Sequence, residues 1–181
     1  MKKLFLTVII LVSVQCIYTQ KPLDSAKARR KADAVEPMRR LLNGTWSLVL
    51  VDNILPDGRR TKPYGTEPVG RLMFDAEGRY ALQILKAERK NFASGDKTKG
   101  TAEENAELVL GSNSHFGRYI IGPDGKTIVF YVDHAFFPNW EGNTQIRPFT
   151  LTTTEFRYTV PATTNGTGVS GEVIWKRDPI R

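Results

Sequence analysis

The sequence predicts an all-β protein, an eight-stranded antiparallel barrel with one short helix between the third and fourth strands. Two observations carry this prediction. After Asn43 the chain divides into short segments rich in β-branched and aromatic residues, and turn sequences containing Gly, Asp or Asn separate many of them at hairpin spacing. Closing eight strands removes exposed edges and leaves an interior just wide enough for side chains or one small ligand.

Residues 1–19 have the pattern of a secretory signal peptide. Lys2 and Lys3 precede an apolar run at 4–14 that is too short to span a bilayer. We therefore expect an exported mature chain, periplasmic or secreted. We do not expect a lipoprotein anchored through Cys16, because Gln15 stands where a lipobox requires a small residue.

Cys16 is the only cysteine, which excludes an intramolecular disulfide, and we expect no catalysis by a cysteine. The fold must then depend on its hydrophobic core. Roughly 160 residues remain after the signal, enough for one domain with a sizeable core. We assign residues 44–178 to this barrel.

The positive charge is concentrated before the barrel. The formal net charge is +7, and much of it lies in the basic N-terminal segment at 20–43, which we expect to be partly ordered. No aromatic residues alternate with these basic ones, so the pattern does not favour nucleic-acid binding. A solvated tether accounts for the charge, and a peripheral contact with an anionic envelope surface is the alternative.

Two short helical pieces are expected in this segment. Residues 25–35 are rich in alanine and charge, and we expect Glu36-Pro37 to end the first piece. A single turn at 37–42 follows, whose Leu41 and Leu42 are placed to plug one end of the barrel.

The eight strands are predicted from alternation and from the turns between them. Pro56-Asp57-Gly58, Gly122-Pro123-Asp124-Gly125 and similar sequences supply the residues that tight turns require. The predicted strands cover residues 45–51, 69–74, 80–86, 115–121, 127–137, 144–152, 155–160 and 169–176.

One helix interrupts this meander. Thr101-Ala102-Glu103-Glu104 has the spacing of a capping box, and a short apolar face runs from there to Gly111. The long polar loop at 91–100 precedes it, and we expect both to lie at the barrel mouth or flank.

Several sequence blocks occur in one order over residues 42–177. They are Gly44-Thr45-Trp46, Gly70-Arg71-Leu72-Met73-Phe74, Phe92-Ala93-Ser94-Gly95-Asp96, Gly100-Thr101-Ala102-Glu103-Glu104, Phe116-Gly117-Arg118-Tyr119, Phe137-Pro138-Asn139-Trp140-Glu141-Gly142 and Gln145-Ile146-Arg147. Together these blocks resemble the lipocalin-like domain family of bacteria and fungi.

The resemblance implies a lipocalin-type barrel with an internal pocket, and it implies no reaction. In lipocalins the first-strand tryptophan closes the barrel base against a basic residue near the last strand. Trp46 with Lys176 or Arg177 is similar in position. The chain departs from the family at Tyr131, where a histidine often stands, so a role for that histidine as a base does not transfer.

The strand at 144–152 gives the clearest candidate site. Gln145, Arg147 and Phe149 share one of its faces, and a face that mixes apolar residues with one charge and one amide suits a ligand cavity. On the neighbouring strand both faces are half apolar, so alternation leaves open which one points inward. If Asp133 points inward, it is placed to pair with Arg147.

Three further residues complete the candidate ligand-binding set: His115 and Tyr119 on one strand face, and Tyr131 on the next strand. Each of three candidates also has a purely structural interpretation. Arg147 is then a surface or rim residue, Asp133 accepts hydrogen bonds near a turn, and His115 caps the helix before it. With two histidines and no carboxylate at ligand spacing, we expect neither a metal site nor a cofactor.

These observations predict an exported barrel that binds a small hydrophobic or amphipathic molecule and holds its polar group at Arg147. One alternative is an isomerase, lyase or cyclase that uses the same cavity, because these residue types are able to carry acid–base chemistry. No phosphate loop or nucleophile motif is present to favour it. The other alternative is an envelope interaction protein whose barrel is solidly packed.

Overall fold

Antiparallel strands dominate the fold in the computed structural model, which describes residues 23–164 and 167–179. The strands are β1 (Gly44–Ile54), β2 (Arg60–Thr61), β3 (Val69–Phe74), β4 (Arg79–Leu85), β5 (Ser112–Ile121), β6 (Thr127–Ala135), β7 (Thr144–Leu151), β8 (Glu155–Val160) and β9 (Ser170–Arg177). The helices are α1 (Leu23–Leu42) and α2 (Ala102–Leu110), and short 3₁₀ turns cover Pro138–Trp140 and Ala162–Thr164.

Eight of these strands close into a barrel. From β3 to β9 each strand pairs with the next in the chain, and β1 pairs with both β3 and β9. Trp46 of β1 thereby faces Leu72 on one side and Arg177 on the other. The predicted eight-stranded antiparallel barrel is confirmed.

The position of the helix differs from the prediction. Helix α2 lies between β4 and β5, whereas the prediction placed it between the third and fourth strands. The difference comes from β2, a two-residue strand that pairs with the end of β1 through Asn53 and Ile54. Two polar residues give no alternation, so the sequence carried no signal for this strand.

Helix α1 is longer than the sequence suggested. It continues through Glu36 and Pro37 to Leu42, so the predicted break is wrong. A proline inside a helix removes one hydrogen bond, but packing against the barrel offsets that loss: Leu42 is fully buried, and Val35 and Met38 pack against the core. The expected signal peptide at 1–19, Cys16 and the first residues of the basic segment lie outside the described residues.

The end of the barrel beneath α1 is closed by aromatic and apolar side chains. Trp46 is fully buried, and its indole Nε1 donates to the carbonyl oxygen of Leu42 (2.8 Å). The guanidinium carbon of Arg177 lies 4.3 Å from the centre of the Trp46 ring. Of the two basic residues expected near Trp46, Arg177 makes the contact, which stabilises the structure without indicating a ligand.

No helix among the described residues combines the length and apolar character needed to cross a membrane.

Candidate functional site

The barrel contains a cavity of about 290 Å³ at the end opposite α1. Its lining comes from the second halves of β1, β4 and β8, from the first halves of β5, β7 and β9, from Phe130 near the middle of β6, and from the segments that follow β2 and β6. The lining residues are Val51, Asn53, Pro63, Tyr64, Ile84, Asn113, His115, Phe130, Trp140, Gln145, Arg147, Tyr158, Val160 and Val173. Among these described residues there is one permanent charge and no carboxylate, because Arg147 is the only charged member.

Arg147 points into this cavity from β7. On the neighbouring strand β6, the residue paired with Arg147 is Ile128, which is fully buried in the core. The guanidinium therefore starts from a position level with the core. The residue is 6% exposed. Burial lowers the pKa of Arg147, although a guanidinium keeps its charge at any ordinary pH. Burying such a charge costs free energy unless hydrogen bonds or an opposite charge compensate it.

Gln145 orients the guanidinium. The two residues are two apart on one strand and therefore share a face. Arg147 Nη2 donates to Gln145 Oε1 (2.9 Å), and Nη1 donates to the carbonyl oxygen of Ile146 (3.2 Å). Because Gln145 accepts through its oxygen, its amide nitrogen remains a donor for another group.

His115 enters the cavity from β5, and a hydrogen bond fixes its ring. Its Nδ1 lies 2.9 Å from the Tyr80 hydroxyl oxygen. Tyr80, Phe130 and Trp140 all present ring edges or faces to it, with centroids between 5.4 and 6.4 Å away. Burial and then the charge of Arg147 lower the pKa of His115 to about 4, so the imidazole is neutral near pH 7.

Tyrosine hydroxyls provide further polar groups around the cavity. Burial raises the pKa of Tyr158 to about 12, and the nearby charge of Arg147 opposes that rise. Burial also raises the pKa of Tyr64. Both side chains therefore stay protonated and neutral, able to donate as well as accept.

Two predicted site residues are buried but lie away from this cavity. Tyr119 and Phe149 belong to the hydrophobic core near the closed end. The ring of Tyr119 meets Phe74 edge-on at 4.7 Å, and its hydroxyl donates to the Asp75 carbonyl oxygen (3.4 Å). Both residues share the predicted inward face, but they sit too far along β5 and β7 to line the cavity.

Tyr131 and Asp133 lie on the outside, which corrects their expected placement. Ile128, Phe130 and Val132 form the buried face of β6, so the intervening residues point to solvent. A bulge interrupts the β5–β6 pairing between Phe116 and Gly117. A Cβ at Gly117 would come within 2.0 Å of the Tyr131 carbonyl oxygen, so this close approach requires glycine.

Several residues of the site were not among the sequence-based candidates: Asn113 and Trp140 in the lining, and Tyr80 behind it. Asn113 lies two positions before His115 on the same face, and Tyr80 alternates with Leu82 and Ile84 on β4, so alternation could have found both. Trp140 lies in a short 3₁₀ turn after β6, where strand alternation gives no signal. The pairing of Tyr80 with His115 depends on the β4–β5 register, which places Leu82 opposite His115 and cannot be read from one strand.

The segments around α2 form two other hollows. One holds about 150 Å³ between α2 and the residues after β4, and the other is a wider depression along residues 87–97. Acidic and basic side chains line the first together, including Lys86, Arg89, Glu104 and Glu107. No residue of α2 is buried. These hollows lack the buried, oriented groups of the barrel interior.

Within residues 23–164 and 167–179, no group of three or more His, Cys, Asp or Glu side chains is arranged to hold a metal ion.

The family model described as the lipocalin-like domain matches residues 43–178 of the chain. The chain belongs to the lipocalin-like domain family. The match begins just before β1 and ends just after β9, so it covers the whole barrel of this family member and excludes α1.

Comparison with curated proteins finds no match. Among solved structures, the chain is similar to the structure of EF1p2_mFAP2b bound to DFHBI. The two share 13% identity over 77% of this chain and 95% of that chain, with a TM-score of 0.37. Similarity at this level supports no conclusion about the ligand of the present protein.

Proposed function

We propose that this lipocalin-like protein binds a small, mostly apolar molecule inside the barrel and holds the polar group of that molecule against Arg147. The observation that carries the proposal is a cavity of about 290 Å³ into which one buried, oriented guanidinium projects. That volume is at the lower end of the roughly 300–1,000 Å³ typical of ligand pockets, which restricts the ligand to a small molecule.

The lining fits a ligand that is apolar over most of its surface. Phe130, Val160 and Val173 provide apolar walls, and burying apolar surface contributes roughly 25 cal/mol per Å². Polar groups occur at a few positions only, as in sites where a small number of hydrogen bonds fix the orientation of the ligand. Burial then provides affinity, and Arg147 provides specificity.

An isomerase or lyase that uses the same cavity is the second candidate, and the Tyr80–His115 hydrogen bond is the observation that favours it. Imidazole and phenol groups are able to carry acid–base chemistry, although a pKa of about 4 makes His115 a weak base near pH 7. Binding is preferred because the described lining residues hold no carboxylate to work opposite His115. The third candidate, an envelope interaction protein, presumed a solid barrel, and the cavity removes that premise.

Export is part of the proposal. The charged start and apolar run in residues 1–19 support a signal peptide, and the basic residues at 21–40 support a peripheral contact with an anionic envelope surface. The ligand would then be met outside the cytoplasm.

Native mass spectrometry tests the binding proposal. Wild-type protein, Arg147→Ala and Arg118→Ala are each incubated with a metabolite extract, desalted and examined for retained small molecules. Arg118 is exposed on the outer face of β5, so its variant loses the same charge away from the cavity. We expect the wild type and Arg118→Ala to retain a ligand that Arg147→Ala loses.

Two results would contradict the proposal. Equal retention of one ligand by all three proteins would exclude Arg147 as the anchor. An absence of any retained molecule from the wild type, across extracts of different polarity, would contradict ligand binding itself.

A further inference from the structure

We propose that the ligand is a small carboxylic acid bound as its anion, held jointly by the guanidinium of Arg147 and by the Nε2–H of His115, whose tautomer Tyr80 fixes. This inference rests on the proposed function, because it names the class of molecule that the same cavity accepts. Three features of the interior lead to it: the sign of its charge, the direction of the Tyr80–His115 bond, and the balance of donors over acceptors.

The charge of the lining favours an anion. Arg147 brings a positive charge into the cavity, and the described lining residues include no Asp or Glu. Two acceptors of its guanidinium, Gln145 Oε1 and the Ile146 carbonyl oxygen, are neutral. A carboxylate would neutralise the cavity and match the planar donor geometry of a guanidinium.

The buried hydroxyl of Tyr80 determines which nitrogen of His115 carries the proton. Tyr80 is 4% exposed, and His115 Nδ1 is its hydrogen-bond partner at 2.9 Å. If Nδ1 donated to the hydroxyl oxygen, the hydroxyl proton would be buried without an acceptor. The arrangement that satisfies both groups has the hydroxyl donating to Nδ1, which places the ring proton on Nε2.

His115 is therefore a second donor facing the ligand. It lines the cavity, and because Nδ1 is occupied by Tyr80, Nε2 is the ring nitrogen left for a bound molecule. The low pKa of the imidazole agrees with a neutral ring. A neutral Nε2–H donates to an anion without adding a second buried charge beside Arg147.

Donors outnumber acceptors at this site. Arg147, the Nε2–H of His115 and the amide nitrogen of Gln145 all donate. Asn113 Oδ1 is a buried acceptor with no hydrogen-bond partner among the described residues. An anion has acceptors only, so the three donors select the carboxylate, and Asn113 is suited to a hydroxyl or amine elsewhere on the ligand.

Matched pairs of probes test the charge preference. Benzoate, cinnamate and octanoate are each compared with the corresponding primary amide, which has nearly the same size and no charge. Binding is followed through the backbone N–H chemical shifts of ¹⁵N-labelled wild-type protein. We expect at least one acid to bind about tenfold or more tightly than its amide, as a charge-assisted hydrogen bond requires.

Variants at His115 separate donation from packing. His115→Gln keeps an N–H donor near the position of Nε2, whereas His115→Phe keeps an aromatic ring and removes the donor. We expect the acid to lose about tenfold in affinity with His115→Phe and about threefold or less with His115→Gln, while the amides change little.

The tautomer can be observed directly, without a ligand. The chain has two histidines, His115 and His134, so a two-bond ¹H–¹⁵N spectrum is simple, and His134→Gln assigns it. We expect the proton of His115 on Nε2 in the wild type and a mixture of tautomers in Tyr80→Phe.

The outcomes distinguish the two proposals. If amides bind as tightly as acids, the cavity binds ligands but the carboxylate inference is wrong. If the proton of His115 is found on Nδ1, the assigned role of Tyr80 is wrong. If no probe of either kind binds, the carboxylate inference is overturned, and the retention of molecules from metabolite extracts decides the proposed function separately.

Discussion

The two ends of the barrel are built from the same alternating strands, yet they contain opposite chemistry. At the end beneath α1, Trp46, Phe156 and Trp175 are fully buried in a closely packed core. At the other end, Arg147 and His115 are buried around a cavity. The comparison teaches that the barrel keeps its packed core and its proposed binding cavity at opposite ends of its axis. Each of the following predictions would break or sharpen that separation.

The largest effect is expected from a tryptophan at the closed end. Trp46→Ala removes a fully buried indole, its bond to Leu42 and its stacking with Arg177. We expect a loss of about 3–5 kcal/mol in the free energy of unfolding, measured by urea denaturation. Trp140→Ala at the cavity is the matched control, with an expected loss of about 1 kcal/mol. Equal losses would contradict the division between the two ends.

The second effect is a pH dependence that belongs to the cavity end. The pKa of His115 is lowered from 6.5 to about 4 in the folded protein by burial and by the charge of Arg147. Between these values the unfolded chain binds a proton that the folded protein does not. The free energy of unfolding therefore falls as the pH drops from 6.5 towards 4, by roughly 3 kcal/mol at most.

Urea denaturation across this range, on wild type and His115→Gln, measures that contribution. The variant should lose stability less steeply, because glutamine does not titrate and all other groups are shared. Parallel curves would mean that His115 is not buried as a neutral ring.

The third effect concerns the outer wall near the cavity. Asp52 and Glu172 are directly opposite on β1 and β9, and Arg60 Nη1 donates to both, at 3.1 Å and 2.6 Å. Removing Arg60 leaves two carboxylates facing each other, although Arg157 still binds Glu172. We expect Arg60→Ala to lower the free energy of unfolding, measured by urea denaturation, because it leaves the buried carboxylate of Asp52 opposite Glu172 without this cation.

The neighbouring residue is a suitable control for that measurement. Arg59 forms an exposed ion pair with Asp57 in the adjacent turn, so Arg59→Ala should change the stability by about 0.5 kcal/mol or less. A loss from Arg59→Ala as large as that from Arg60→Ala would show that general surface charge, and not this bridge, is responsible.

The smallest change in stability is expected at the proposed anchor. Arg147→Met replaces a buried charge by an apolar side chain of similar length, and such changes are often neutral or stabilising, here by about 1 kcal/mol or less. The same variant should lose ligand binding. Thermal unfolding without ligand and the retention measurement with ligand test the two statements separately. A loss of stability greater than about 2 kcal/mol would make Arg147 a structural residue.

How much the sequence could predict depended on how clear each local pattern was. Alternation on β7 placed Gln145, Arg147 and Phe149 on one face, and the structure turns that face inward. On β6 both faces were half apolar, and the bulge opposite Gly117 shifts the pairing, so Tyr131 and Asp133 were misplaced. Their ligand-binding role, like that of the other candidates, remains a prediction.

Other features depended on contacts between distant segments. The continuity of α1 through Pro37 comes from packing on the barrel, which overrides a local helix-breaking signal. The Tyr80–His115 pair comes from the register of β4 against β5. Alternation within a strand shows which residues face inward. Their position along the barrel axis decides whether they lie in the core or at the cavity, and that position depends on the register between neighbouring strands.

The closing pair of strands has a consequence for how the chain folds. Within the described residues, β1 and β9 form the one strand pairing between segments far apart in the sequence, joining Trp46 to Arg177, whereas the other barrel pairings link consecutive strands. Local hairpins form first because short loops cost less entropy to close, so we expect β1–β9 docking to come late and to limit the folding rate. The ligand cavity and the sealed base would then appear in the same kinetic step.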